Sequence, residues 1–154
     1  EVLLDPIRTG AERAGRALDD IYVQINEQLA VSDDVDALIA LARPGMAFTL
    51  RGIGSATTYL YNAAYTRAGF GDVCAEVQRL WVEGDKAGAA AAVPEEMVLS
   101  AYLIGTDDMV RDRVRAYAAA GVDCLRLSPQ GRTAAEQIAH LEMAIDLIAS
   151  ATAT

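Results

Sequence analysis

Between Ile21 and Val31 apolar side chains occupy alternate positions, Ile21, Val23, Ile25, Leu29 and Val31, with Tyr22, Gln24, Asn26, Gln28 and Ala30 between them. A period of two belongs to an extended chain with one face on a core, so a long strand is predicted here. Further on the period lengthens. Val110, Val114, Tyr117 and Ala118 fall at i, i+4, i+7 and i+8, which gathers them on one side of a helix and leaves Arg111, Asp112, Arg113 and Arg115 around the rest. Thr106 is the predicted N-cap, Asp107 and Asp108 lie at the positive end of the helix dipole, and Gly121 closes the C-terminus. The apolar run Cys124–Leu127 then reads as a short buried strand ended by Ser128-Pro129.

The same reading covers the rest of the chain. Val2–Leu4 is expected to be the tail of a buried strand, and the chain a piece of something longer. Asp5-Pro6 opens a helix with Ile7, Ala11, Ala14 and Leu18 inward, and proline in a first turn gives up no hydrogen bond. Ser32-Asp33-Asp34 starts another, with Val35, Leu38, Ile39 and Ala42 inward and Pro44-Gly45 as a kink or break. Residues 46–98 are helical in pattern but cut by glycines and Pro94, which predicts an inserted helical block; Val73, Val77, Leu80 and Trp81 form its clearest face. Leu99–Ile104 is the next predicted strand, and Ala134, Ile138, Leu141, Ile145 and Ile148 mark the inner face of a final helix. Helices alternating with short apolar strands predict an α/β fold with parallel strands, either an open doubly wound sheet or half of an eight-stranded barrel. Periodicity does not choose between them.

The chain has 154 residues, enough for a single domain with a real core. Its 22 acidic against 13 basic residues give a net charge of −9, which repels nucleic acid and anionic membrane surfaces. No apolar run reaches the roughly 18 residues of a membrane span. Cys74 and Cys124 lack metal or redox spacing and read as reduced core residues of an intracellular, cytoplasmic protein. No metal-ligand constellation, nucleophile elbow or phosphate loop is present.

A few residues remain as candidates for chemistry. Arg126 and Ser128 alternate with Leu125 and Leu127 and share a side of the last strand. A guanidinium there suits either a phosphate or carboxylate of a ligand or a structural ion pair. Asn26, Glu27 and Gln28 are unusually polar for an apolar strand; they need partners, from a ligand or from interior packing. Gly52 and Gly54 either admit a ligand close to the backbone or form a plain interhelical loop. Tyr59, Tyr61 and Tyr65 are expected in core packing, and His140, the one histidine, on the outward surface of the final helix.

Three collinear stretches resemble the luciferase-like monooxygenase superfamily, in particular its oxidoreductases that use coenzyme F420. They are Asp19–Arg43 followed by Pro44; Arg51-Gly52-Ile53-Gly54-Ser55 with Tyr61-Asn62, Ala68-Gly69-Phe70 and Ala90–Pro94; and Ile104-Gly105-Thr106 through Ala120-Gly121-Val122-Asp123. The resemblance implies that residues 1–154 are one fragment, the C-terminal half of a (β/α)8 barrel whose N-terminal half is its missing partner. It implies hydride transfer between F420 and a small organic substrate, with FMN-dependent oxygenation as the alternative. Gly52, Gly54 and Ser55 are then the implied cofactor contacts, although this chain has Arg51-Gly52-Ile53-Gly54 where relatives often carry Gly-Gly-Met-Gly. Arg126 and Ser128 are the implied substrate contacts at the barrel mouth, and the catalytic residues are expected upstream. A homodimer is a candidate assembly. The rival from another class is a non-catalytic α/β interaction module.

Overall fold

In the computed structural model, which describes residues 4–51, 54–55 and 58–152, the chain opens with a helix. This is α1 (Leu4–Arg13), so Leu4 is helical and not the end of a strand; Val2 and Leu3 lie outside the described residues. A 3₁₀ turn at Leu18–Asp20 leads to strands β1 (Gln24–Glu27) and β2 (Leu29–Val31). The single strand predicted from alternation is therefore broken at Gln28, because its two parts pair with different partners further along the chain.

Helix α2 (Val35–Leu50) starts as predicted: the Ser32 hydroxyl accepts from the Asp34 N–H at 3.0 Å, and the Asp34 carboxylate caps the Ala37 N–H at 3.0 Å. It runs through Pro44 without ending there. Next come the two-residue strands β3 (Gly54–Ser55) and β4 (Thr58–Tyr59), paired antiparallel, and α3 (Leu60–Tyr65). A π turn at Thr66–Phe70 separates α3 from α4 (Gly71–Val82), with Gly69 at φ 97° where a side chain would be strained. Helices α5 (Lys86–Ala91) and α6 (Glu95–Ala101) complete the helical block. Pro94 and the acidic first turn Glu95-Glu96 start α6, and burial of Met97 and Val98 holds it, so Leu99–Ala101 is helical rather than extended. The strand there is only β5 (Leu103–Gly105), fully buried. The chain ends with α7 (Asp107–Ala119), β6 (Cys124–Leu127) and α8 (Ala134–Thr152).

Two compact units emerge. One comprises Glu1–Leu29 with Asp107–Thr154, the other Ala30–Thr106. In the first, β1 and β6 run parallel in the register Gln24 to Cys124, Ile25 to Leu125, Asn26 to Arg126 and Glu27 to Leu127. Val110 and Val114 of α7 and Ala144, Leu147 and Ala151 of α8 are buried behind them. The inner face of α8 is thus turned from the predicted one, for Ile138 and Ile145 are 57% and 65% exposed. Gly121, at φ +85°, ends α7 as anticipated, and the Val122 N–H returns to the Tyr117 carbonyl at 3.0 Å.

In the second unit β2 pairs with β5. The Ser32 N–H just beyond β2 donates to the carbonyl of Gly105, the last residue of β5, at 3.0 Å, so the two strands end side by side. Their helices surround a core of Ile39, Met46, Leu50, Val77, Met97 and Val98, against which Val73, Leu80 and Trp81 pack as their spacing predicted. Arg43 crosses to the Val93 carbonyl at 3.0 Å, tying α2 to the end of α5. Among the described residues no helix is long and apolar enough to cross a membrane.

Candidate functional site

Strands β1 and β6 divide their side chains by alternation. Because registered residues of neighbouring strands point to the same face, Ile25, Glu27, Leu125 and Leu127 share one face, and Gln24, Asn26, Cys124 and Arg126 share the other. The first set is half-buried beneath the helices; in the second Gln24, Asn26 and Arg126 are exposed, as are Tyr22 before β1 and Ser128 after β6. A sheet this small therefore carries an apolar back and a polar front.

The back holds an unexpected polar contact. The Tyr117 hydroxyl of α7 donates to Glu27 Oε1 at 2.9 Å. Burial, then the bond to Glu27 and its negative charge, push the Tyr117 phenol up to about 12. Glu27 thus serves the packing of α7 on the sheet and does not face the polar front.

On the front, Gln24 Nε2 donates to Asn26 Oδ1 at 3.3 Å, which engages the amide oxygen of Asn26 and keeps its two N–H donors available. Arg126 lies directly beside Asn26. Among the described residues no carboxylate is within ion-pair distance of Arg126, whereas Arg8, Arg79, Arg111 and Arg115 all pair with acids three or four residues away. The structural ion pair that the sequence left open for Arg126 is absent there. Ser128 follows at the strand end, with its carbonyl accepting from Gln130 Nε2 at 3.2 Å. The front thus presents N–H donors and a positive charge, a donor set suited to an anion.

Cys124 also belongs to this front. It is half-buried rather than in the core, because it stands opposite the exposed Gln24, and a bond to its side chain raises the Tyr22 phenol. Cys74 is buried as predicted, and burial pushes its thiol up; both cysteines are free.

His140 does not lie on the outward surface. It is half-buried on α8, and since a carbonyl can only accept, its Nε2–H donates to the Leu29 carbonyl at 2.9 Å. This nitrogen is held by a backbone acceptor beside the break in the strand. The three tyrosines divide: Tyr65 packs on the core, Tyr61 is 45% exposed, and the side chain of Tyr59 lies outside the described residues. Asn62 between them is buried.

Of the glycine loop, Gly52 lies outside the described residues, and for Gly54 and Ser55 the backbone alone is described, as β3. Helix α2 begins beside Ser32 and Gly105 and is 16 residues long, so it carries the chain about 24 Å from those strand ends before the loop starts. The backbone of Gly54 and Ser55 thus follows the far end of α2 from Ser32 and Gly105.

Two cavities lie at the opposite end of β1 and β6 from Ser128. One of about 300 Å³ is lined by Val114, Tyr117, Ala118, Cys124, Leu125 and Ile148, and one of about 200 Å³ by Leu18, Ile21, Val23, Gly121 and Asp123. The Asp123 carboxylate accepts from the Val23 N–H at 2.7 Å between them. Among the described residues no group of three or more His, Cys, Asp or Glu could hold a metal ion.

Comparison with known proteins adds what these contacts alone do not give. The family model described as luciferase-like monooxygenase matches residues 1–124. A Mycobacterium tuberculosis protein that carries the provisional name coenzyme F420-dependent oxidoreductase is 33% identical over 109 residues, which is 71% of this chain and 31% of that protein. The solved coenzyme F420-dependent tetrahydromethanopterin reductase of Methanopyrus kandleri superposes with a TM-score of 0.67 at 26% identity, over 91% of this chain and 39% of that one. The chain therefore spans between about a third and two fifths of the length of these relatives.

Proposed function

We propose that this chain, which belongs to the luciferase-like monooxygenase family, is part of an oxidoreductase that moves a hydride between coenzyme F420 and a small organic substrate. What supports the cofactor is the naming of both relatives as F420-dependent. What supports a ligand-facing role for this chain's own residues is the polar front of β1 and β6, where Asn26, Arg126 and Ser128 present donors with no carboxylate set against Arg126 among the described residues. That single feature carries the reading, because an exposed guanidinium with no acid set against it stays available to an anionic ligand.

In this reading residues 1–154 form one fragment of a (β/α)8 barrel, its C-terminal half, and the polypeptide that completes the ring closes over the front. Ser128, at the end of β6, borders the mouth. When bound, the deazaflavin supplies the carbon centre that carries the hydride. This chain orients the ligands: Arg126 and Ser128 hold the substrate, the apolar back keeps the strands in register, and closure of the barrel excludes water. Gly52, Gly54 and Ser55 are assigned to the cofactor, as the resemblance implies.

The test is equilibrium binding to the intact polypeptide, followed by quenching of F420 fluorescence, with FMN titrated in parallel. Saturable binding of F420 that FMN does not displace is expected. Tight FMN with no F420 binding would shift the assignment to an FMN-dependent monooxygenase. Binding of neither would favour an interaction module.

A further inference from the structure

We infer that Asn26 and Arg126 together form a recognition site for a single anionic group, a carboxylate or a phosphate, and that Gln24 fixes the orientation of the Asn26 amide for it. That the anion belongs to the substrate rests on the redox reading above; the site itself rests on geometry. Asn26 and Arg126 are registered partners on adjacent parallel strands, so their side chains leave the sheet next to each other on one face. Strand neighbours are separated by about 5 Å, which lets one oxyanion accept from both.

The orientation of the amide is what makes the pair selective. With its oxygen engaged by Gln24 Nε2 at 3.3 Å, Asn26 offers N–H groups beside a guanidinium that offers only N–H groups. A neutral amide or alcohol would satisfy such a donor cluster poorly, since it brings no charge to meet Arg126. The acid nearest in sequence, Glu27, is on the other face and already accepts from Tyr117. The next, Asp123, accepts from the Val23 N–H at the far end of the strands.

The intact polypeptide, labelled with nitrogen-15, would be titrated with butyrate, methyl phosphate and butyramide while the side-chain resonances of Asn26 Nδ2 and Arg126 Nε are followed. Saturable shifts of both with butyrate or methyl phosphate, and none with butyramide, are expected; the tighter of the two anions identifies the group. Arg126→Gln should weaken that binding by about tenfold or more. Asn26→Asp, which keeps the shape but puts a negative charge beside Arg126, should do the same and serves if the first variant does not fold. Equal response to butyrate and butyramide, or no movement of either resonance, overturns the site. The same samples titrated with F420 separate the two ideas: F420 binding without any anion response overturns the site and leaves the F420 reading standing, whereas an anion response without F420 binding supports the site and removes the F420 reading.

Discussion

Glu27 and Tyr117 show how one residue can be out of pattern for a reason the pattern contains. Along Ile21, Val23, Ile25, Leu29 and Val31 the inward series is apolar, and position 27, which belongs to it by parity, is a glutamate. The alternation already put that carboxylate on the core side; what it lacked was the partner, because α7 reaches β1 only through the fold. Removing the donor with Tyr117→Phe should cost about 1–2 kcal/mol in chemical denaturation at neutral pH. The phenol, raised from 10.0 to about 12, also gives a sign. A group whose folded value lies above its unfolded one stabilises fully below about pH 10, and that contribution is lost as pH rises through 12. Wild type should therefore lose stability between pH 10 and 12 more steeply than Tyr117→Phe, and equal slopes would refute the contact. His140 was misplaced for a related reason: its partner is a backbone carbonyl, which leaves no mark in a sequence.

At the scale of elements, caps and stops were legible and helix faces less so. Asp34 and Gly121 do what their residue types suggest, while the Thr133-x-x-Glu136 box that starts α8 was not read from the pattern. Helix α8 was turned wrongly because it is apolar on both sides: Ile138 and Ile145 point outward while small residues, Ala144 and Ala151, take the inside. Leu147 is buried between them, so both faces offer apolar residues and packing chose this one. Strand ends were overrun for a different reason, since Leu99–Ala101 satisfies a helix as well as a strand until Pro94 and Glu95 decide it. Two substitutions follow. The Glu136 carboxylate accepts from the Arg132 and Thr133 N–H groups, which hold it below the usual carboxylate range. Its contribution is present above the ordinary glutamate range and is lost as pH falls through the depressed value. Glu136→Gln should thus lower the thermal midpoint at pH 7 and converge on wild type in acid. Pro44, exposed within α2, leaves a helical carbonyl without its N–H partner, so Pro44→Ala should raise stability by about 1–3 kcal/mol in urea denaturation. A fall would mean that the proline shapes α2 for a contact it needs.

For the whole molecule, parallel pairing of β1 with β6 and the helical majority agree with the α/β fold read from periodicity. What periodicity could not reach was which strands pair, because registration is decided by long-range closure and not by local pattern. It also could not separate an open sheet from part of a barrel. That distinction carries the functional argument, since a polar strand face is a ligand wall inside a ring and an ordinary wet surface outside one. The most direct measurement is a crystal structure of the intact polypeptide with F420. The account predicts a closed ring of parallel strands with Asn26 and Arg126 lining its interior, within hydrogen-bond distance of cofactor or substrate. A structure in which that face is covered by a helix, or lies open to solvent away from bound F420, would contradict it.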